Sequence, residues 1–199
     1  MTRLASLTAV LLLAACTPEP APPPATQESA VVEQPANSVT TPSPAAPVPA
    51  ALALAVEGEG LRLFNPANGA ARPLPFGTAR DRVMSALAGR GVADHGTQSE
   101  CGAGPLDYSA WSDGLKLYFQ QDKFIGWALD GRAAGKVATA ASIGPGSSRA
   151  DLESAYVAKV AQSTLGTEFT AGNMFGLLDG PGPTASIDAM WAGTSCNFR

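Results

Sequence analysis

The sequence predicts an α+β domain over residues 51–199: two related helix-plus-antiparallel-hairpin units, at about 76–131 and 144–199, with helices packed on one face of an antiparallel sheet. Three observations predict it. The stretches FGTARDRVMSALAGRG and GPGSSRADLESAYVAKV open alike. Each is followed by apolar runs broken by turn residues, the signature of paired strands. The remaining length, about 150 residues, suits one domain with a sizeable core.

In chain order, Ala51–Val56 and Leu61–Phe64 read as a first strand pair, closed off by the turn NPANG. Placing Gly77 on Gly146 aligns Thr78 with Ser147, Arg80 with Arg149, Val83 with Leu152 and Leu87 with Tyr156. Thr78 and Ser147 are expected as hydroxyl N-caps, accepting a bond from an orphan backbone N–H. Val83 with Leu87, and Leu152 with Tyr156, fall on one helical face, and Gly89 and Gly91 stop the first helix. Leu115, Leu117 and Phe119 alternate with Lys116 and Tyr118 as a half-buried strand. Its return is Phe124–Leu129. A weaker hairpin pairs Phe175–Leu178 with Ser186–Trp191 across DGPGP.

The front of the chain carries a separate message. Arg3 precedes an apolar run, Leu4–Ala15, of about a dozen residues, and about 20 are needed to span a bilayer. A basic start, a short apolar run and small residues describe an export signal. Leu13-Ala14-Ala15-Cys16 resembles a bacterial lipobox. That resemblance implies cleavage after Ala15, a diacylglyceryl group on the Cys16 thiol and acylation of the new amino terminus. Thr17 in place of Asp directs the expectation to the outer membrane, facing the periplasm. A single acyl chain binds a bilayer marginally at about 0.8 kcal/mol per methylene, whereas several chains on one cysteine anchor stably. Residues 17–50, rich in Pro, Ala, Thr, Ser and Glu, are too poor in bulky apolar groups to fold. They read as a disordered tether of about 3.1 Å per residue.

Thirteen basic residues stand against 17 acidic ones, a net charge of −4. There is no basic run, so the electrostatic footprint for nucleic acid is missing. With Cys16 lipidated, Cys101 and Cys196 remain. An exported chain meets an oxidising compartment, where their pairing is expected; buried free thiols, or Cys101 as a metal ligand, are the alternatives.

Candidate chemistry is sparse. His95 lies near Asp94, Glu100 and Cys101, short of a recognised zinc spacing. No strained nucleophile elbow accompanies it. Asp107, Asp113, Asp122 and Asp130 sit in turn-like contexts, where Asp-Gly is turn chemistry. No cofactor, catalytic set or metal set is expected. Trp111, Tyr118 and Trp127 are the candidates for a binding surface, because Trp and Tyr dominate hot spots; filling the core is the other role open to them. Tyr118, alternating against Leu117 and Phe119, is expected to point away from the core.

A glycine-hydroxyl helix start followed by an aromatic hairpin, present twice, resembles the tandem-repeat fold of β-lactamase inhibitor proteins. A single copy resembles the small outer-membrane assembly lipoproteins of the SmpA/OmlA type. GLRLFNPANGAARPLPFGTARDRV, ECGAGPL and MWAGTSCNFR also resemble a family of proteobacterial exported proteins, which brings no activity with it. These resemblances imply a lipid-anchored envelope protein with a non-enzymatic protein-interaction domain, held to the bilayer by Cys16 and meeting an envelope protein partner. An inhibitor of a periplasmic or secreted hydrolase, or a hydrolase acting on the envelope, are the alternatives.

Overall fold

The computed structural model describes residues 52–196. The expected export signal, Cys16 and the expected tether lie outside the described residues. Among the described residues eleven strands and two seven-residue α-helices follow one another. A three-stranded sheet comes first: β1 (Ala53–Glu57), β2 (Gly60–Phe64) and β3 (Ala71–Pro75), in that order. Helix α1 (Arg80–Ala86) leads into β4 (Asp94–Gln98), β5 (Leu106–Ala110), β6 (Leu115–Gln120) and β7 (Lys123–Leu129). Helix α2 (Arg149–Ala155) leads into β8 (Ala158–Ser163), β9 (Gly166–Ala171), β10 (Met174–Leu178) and β11 (Ile187–Gly193). These last eight strands form one antiparallel sheet in the order β4-β5-β6-β7-β11-β10-β9-β8.

This architecture corrects the expected α+β class. The protein is mostly β, and helices do not form the layer on the sheet. Each helix spans about two turns and buries one residue fully, Val83 in α1 and Leu152 in α2. What chiefly packs on the large sheet is the small one. Val56, Leu61, Leu63 and Leu74 join a single core with Leu117, Phe119, Phe124, Trp127, Phe169 and Met190. The Trp127 indole N–H donates to the Glu57 carbonyl at 2.8 Å, pinning one sheet to the other. Each helix is followed by four strands instead of a hairpin. The missed strands include DHGTQ and AKVAQS, which are edge strands. An edge buries little, so it lacks the alternation that identifies a strand. β3, with Pro73 and Pro75, is likewise an edge, where proline is tolerated.

The two halves repeat each other in detail. Gly77 and Gly146 both have φ near +89° (89° and 88°), a conformation glycine adopts without strain. Their N–H groups donate to Phe124 O at 2.7 Å and Ile187 O at 2.8 Å. Phe124 and Ile187 return the bond to Thr78 O and Ser147 O, each at 2.9 Å. The β6–β7 register skips Ile125, and the β10–β11 register skips Asp188, at matching places. The halves meet across β7 and β11, where Gly126 faces Gly193. A Cβ on Gly126 would lie 2.0 Å from the Thr194 carbonyl oxygen, so the seam admits no side chain there.

Candidate binding face

Side chains on alternate positions of the large sheet divide between two faces. One face carries the core shared with β1–β3. The other, here the open face, carries two rows fixed by the register. The first runs Ala110, Lys116, Ala128, Trp191, Phe175, Thr170, Lys159. The second runs Ala189, Leu177, Glu168, Ala161. Both Phe175 and Leu177 are half-buried and belong to neither apolar cluster of the fold. Trp191 retains 7% of its surface and sits between Ala128 and Phe175.

One end of the open face is closed. Cys101 and Cys196 form a disulfide, with Cα atoms 5.2 Å apart at a sequence separation of 95. Together with Leu106 and Tyr118 they make a second apolar cluster, against which Tyr108, Ile125 and Ala128 pack. Burial raises the Tyr118 phenol above its ordinary value, and a hydrogen bond with the Cys196 backbone opposes this in part.

The three aromatic candidates are therefore placed inside. Trp127 is 0% exposed in the main core. Trp111 is 4% exposed in the same core, and its indole N–H has no partner among the described residues. Tyr118 points away from Leu117 and Phe119, as alternation predicts, yet the disulfide cluster covers it to 3% exposure. Alternation reports a direction; it carries no information about a loop arriving from elsewhere in the chain. Phe175 and Leu177 did not stand out as site residues in the sequence. The available signal was MFGLL itself: apolar residues at both parities of a strand mark a strand with two apolar faces.

The polar candidates resolve into structural pairs. His95 Nδ1 lies 2.9 Å from Ser109 Oγ. That pair looks like a nucleophile and its base, but Ser109 is 0% exposed on the core side, where no substrate reaches it. It fastens edge strand β4 to β5. Asp107 accepts from Thr97 at 2.6 Å and meets Arg80 at 3.4 Å. Asp113 pairs with Arg90. Asp130 pairs with Arg132 at 2.6 Å, and that hydrogen bond is the main reason its carboxyl lies below the usual range. Asp122 has φ +56° in the β6–β7 turn. Among the described residues no three His, Cys, Asp or Glu side chains gather as a metal site.

Comparison with family models, with curated proteins and with solved structures returns no match to this chain.

Proposed function

We propose that this chain is a lipid-anchored cell-envelope protein whose domain binds another envelope protein through the open face of its large sheet, without catalysis. One observation carries the reading. The open face is closed in the first half by the disulfide cluster and has no such cover among the described residues in the second, where half-buried Phe175 and Leu177 adjoin the buried Trp191 in an apolar strip bounded by Lys116, Lys159 and Glu168. An apolar centre with a charged rim is the anatomy of a protein interface, and aromatic anchors dominate such contacts. The anchor belongs to the same proposal: Cys16 holds the chain at the bilayer, and residues 17–50 give the domain reach.

The test has two arms. Palmitate labelling is expected in the wild type and absent from Cys16→Ser. Affinity capture from solubilised envelope is expected to retain a defined partner with the wild type and lose it with Phe175→Asp. Unchanged capture by that variant removes the face from the proposal, and absence of lipid on the wild type removes the anchor.

A further inference from the structure

We propose that β8 is a self-pairing edge, by which two copies of this chain join antiparallel about a twofold axis into one continuous sheet. β8 ends the eight-stranded sheet, pairing with β9 over six residues with no register shift. Outside that ladder no backbone N–H or C=O of Ala158–Ser163 has a partner among the described residues. Exposed edges are normally blunted by proline, a bulge or several charges. β8 has neither proline nor bulge and a single charge, Lys159. Val157, immediately before it, is 92% exposed. The opposite edge is built differently. There Asp94, His95 and Gly96 occupy the places of Lys159, Val160 and Ala161, and the Tyr108 ring lies against Gly96.

The occupant follows from charge and register. A twofold axis perpendicular to the sheet keeps each face continuous, so residues of like face must stand opposite each other. Centred on Val160, it sets Val160 against Val160 of the second copy and Lys159 against Ala161 of the second copy. Behind that alanine, across β9, stands Glu168 on the same face. The lysine and the glutamate are then two strand spacings apart, about 10 Å between backbones. Long side chains cross that gap over the alanine methyl, and symmetry makes the bridge twice. In the single chain neither Lys159 nor Glu168 has an ion-pair partner among the described residues. Centring on Lys159 would oppose two lysines. Centring on Ala161 would set Lys159 against Ser163, whose neighbour across β9 is Gly166, not an acid. Backbone pairing supplies the adhesion, as in strand addition generally, and the twofold closes the assembly at two copies.

Sedimentation equilibrium of the full chain in detergent tests this, with thermal melting to confirm folding of every variant. The wild type is expected as a monomer–dimer equilibrium. Lys159→Glu and Glu168→Lys should each weaken the dimer about tenfold, and the double exchange should restore it to within about threefold. A wild type that stays monomeric, species that grow beyond the dimer, or a double variant no tighter than the singles each overturn the proposal. Partner capture is read with Phe175→Asp, whose residue lies on β10 and off the β8 edge, so failure of the dimer and failure of the binding face are distinguished.

Discussion

The two halves of the large sheet share one plan and treat its open face in opposite ways. Matched by their bulges, Tyr118 of β6 corresponds to Leu177 of β10, and Ile125 to Asp188. Tyr118 and Ile125 lie under or against the disulfide cluster. Leu177 is half-buried and Asp188 exposed. The cores differ in the same sense. Trp127 of β7 occupies the place of Met190 in β11, and Phe119 that of Leu178. Even the edge ladders match: Thr97 donates to Asp107 at 2.6 Å, and Gln162 to Thr167 at 2.8 Å in the corresponding place. A repeated backbone thus carries one half with larger core aromatics and a covalent brace, and another whose open face and edge have no such cover among the described residues.

Removing the brace is the strongest way to break that difference. The Cys101–Cys196 bond closes a loop of 95 residues, and chain entropy assigns it about 4–5 kcal/mol. Cys101→Ser with Cys196→Ser is expected to lose most of that in a denaturant titration. It also uncovers Tyr118, whose phenol should return toward its ordinary value in an ultraviolet pH titration. The sign in the intact protein is fixed by the raised phenol. Its unfolded form ionises first, so this stability is whole below the ordinary value of 10.0 and is lost as pH climbs through the folded value. Tyr118→Phe should flatten that alkaline loss. A double serine variant with unchanged stability and an unchanged phenol would mean the first half is not closed by the disulfide.

The matched pair Tyr118 and Leu177 sharpens the comparison at single residues. Tyr118→Ala empties a buried site and is expected to cost about 3 kcal/mol. Leu177→Ala, from a half-buried position on the open face, should cost about 1 kcal/mol or less while reducing partner capture. Chemical denaturation reads the first number and capture reads the second. Equal stability losses would show the second half's face to be as tightly packed as the first.

How far these features were legible depends on what burial does to sequence. Leu115–Phe119, Phe124–Leu129 and the Gly77/Gly146 correspondence were visible, because a two-residue alternation and a repeated glycine-hydroxyl start are local. The small sheet's role as the core layer was not. Nothing in ALAVE says that Glu57 will receive the Trp127 indole 70 residues on. The expected α+β class is corrected for the same reason: Val83 and Leu152 announce helices, which form, but the core of the large sheet is shared with Val56, Leu61, Leu63 and Leu74 of β1–β3. Pairing of Cys101 with Cys196 is the expectation an export signal and the cysteine count favour over free thiols or a metal ligand, and the structure shows the bond. Its consequence for Tyr118, a covered aromatic on an otherwise open face, required the register.

The smallest expected effect concerns how the two helices begin. The sequence points to Thr78 and Ser147 as N-caps, and both positions are corrected by one residue. Thr78 Oγ1 donates back to Pro75 O at 2.6 Å, leaving Ala79 at the α1 cap with no side-chain bond. In α2, Ser148 caps and Asp151 returns the bond, a complete capping box. Ser147 instead accepts from the Gly144 N–H at 3.1 Å. Hydrogen bonds from Ser148 hold the Asp151 carboxyl below its ordinary value, so the box is intact at neutral pH and weakens as acid protonates it. Ser148→Ala should cost about 1 kcal/mol, and Ala79→Ser should gain about 0.5–1 kcal/mol by supplying the cap that α1 lacks. Denaturation midpoints measure both. If neither moves, the helix starts are held by the tertiary bonds from Arg80 N–H to Asp122 O and from Arg149 N–H to Ala185 O, at 2.9 and 2.7 Å. Those two bonds are common to both halves, and the caps would then contribute nothing to their difference.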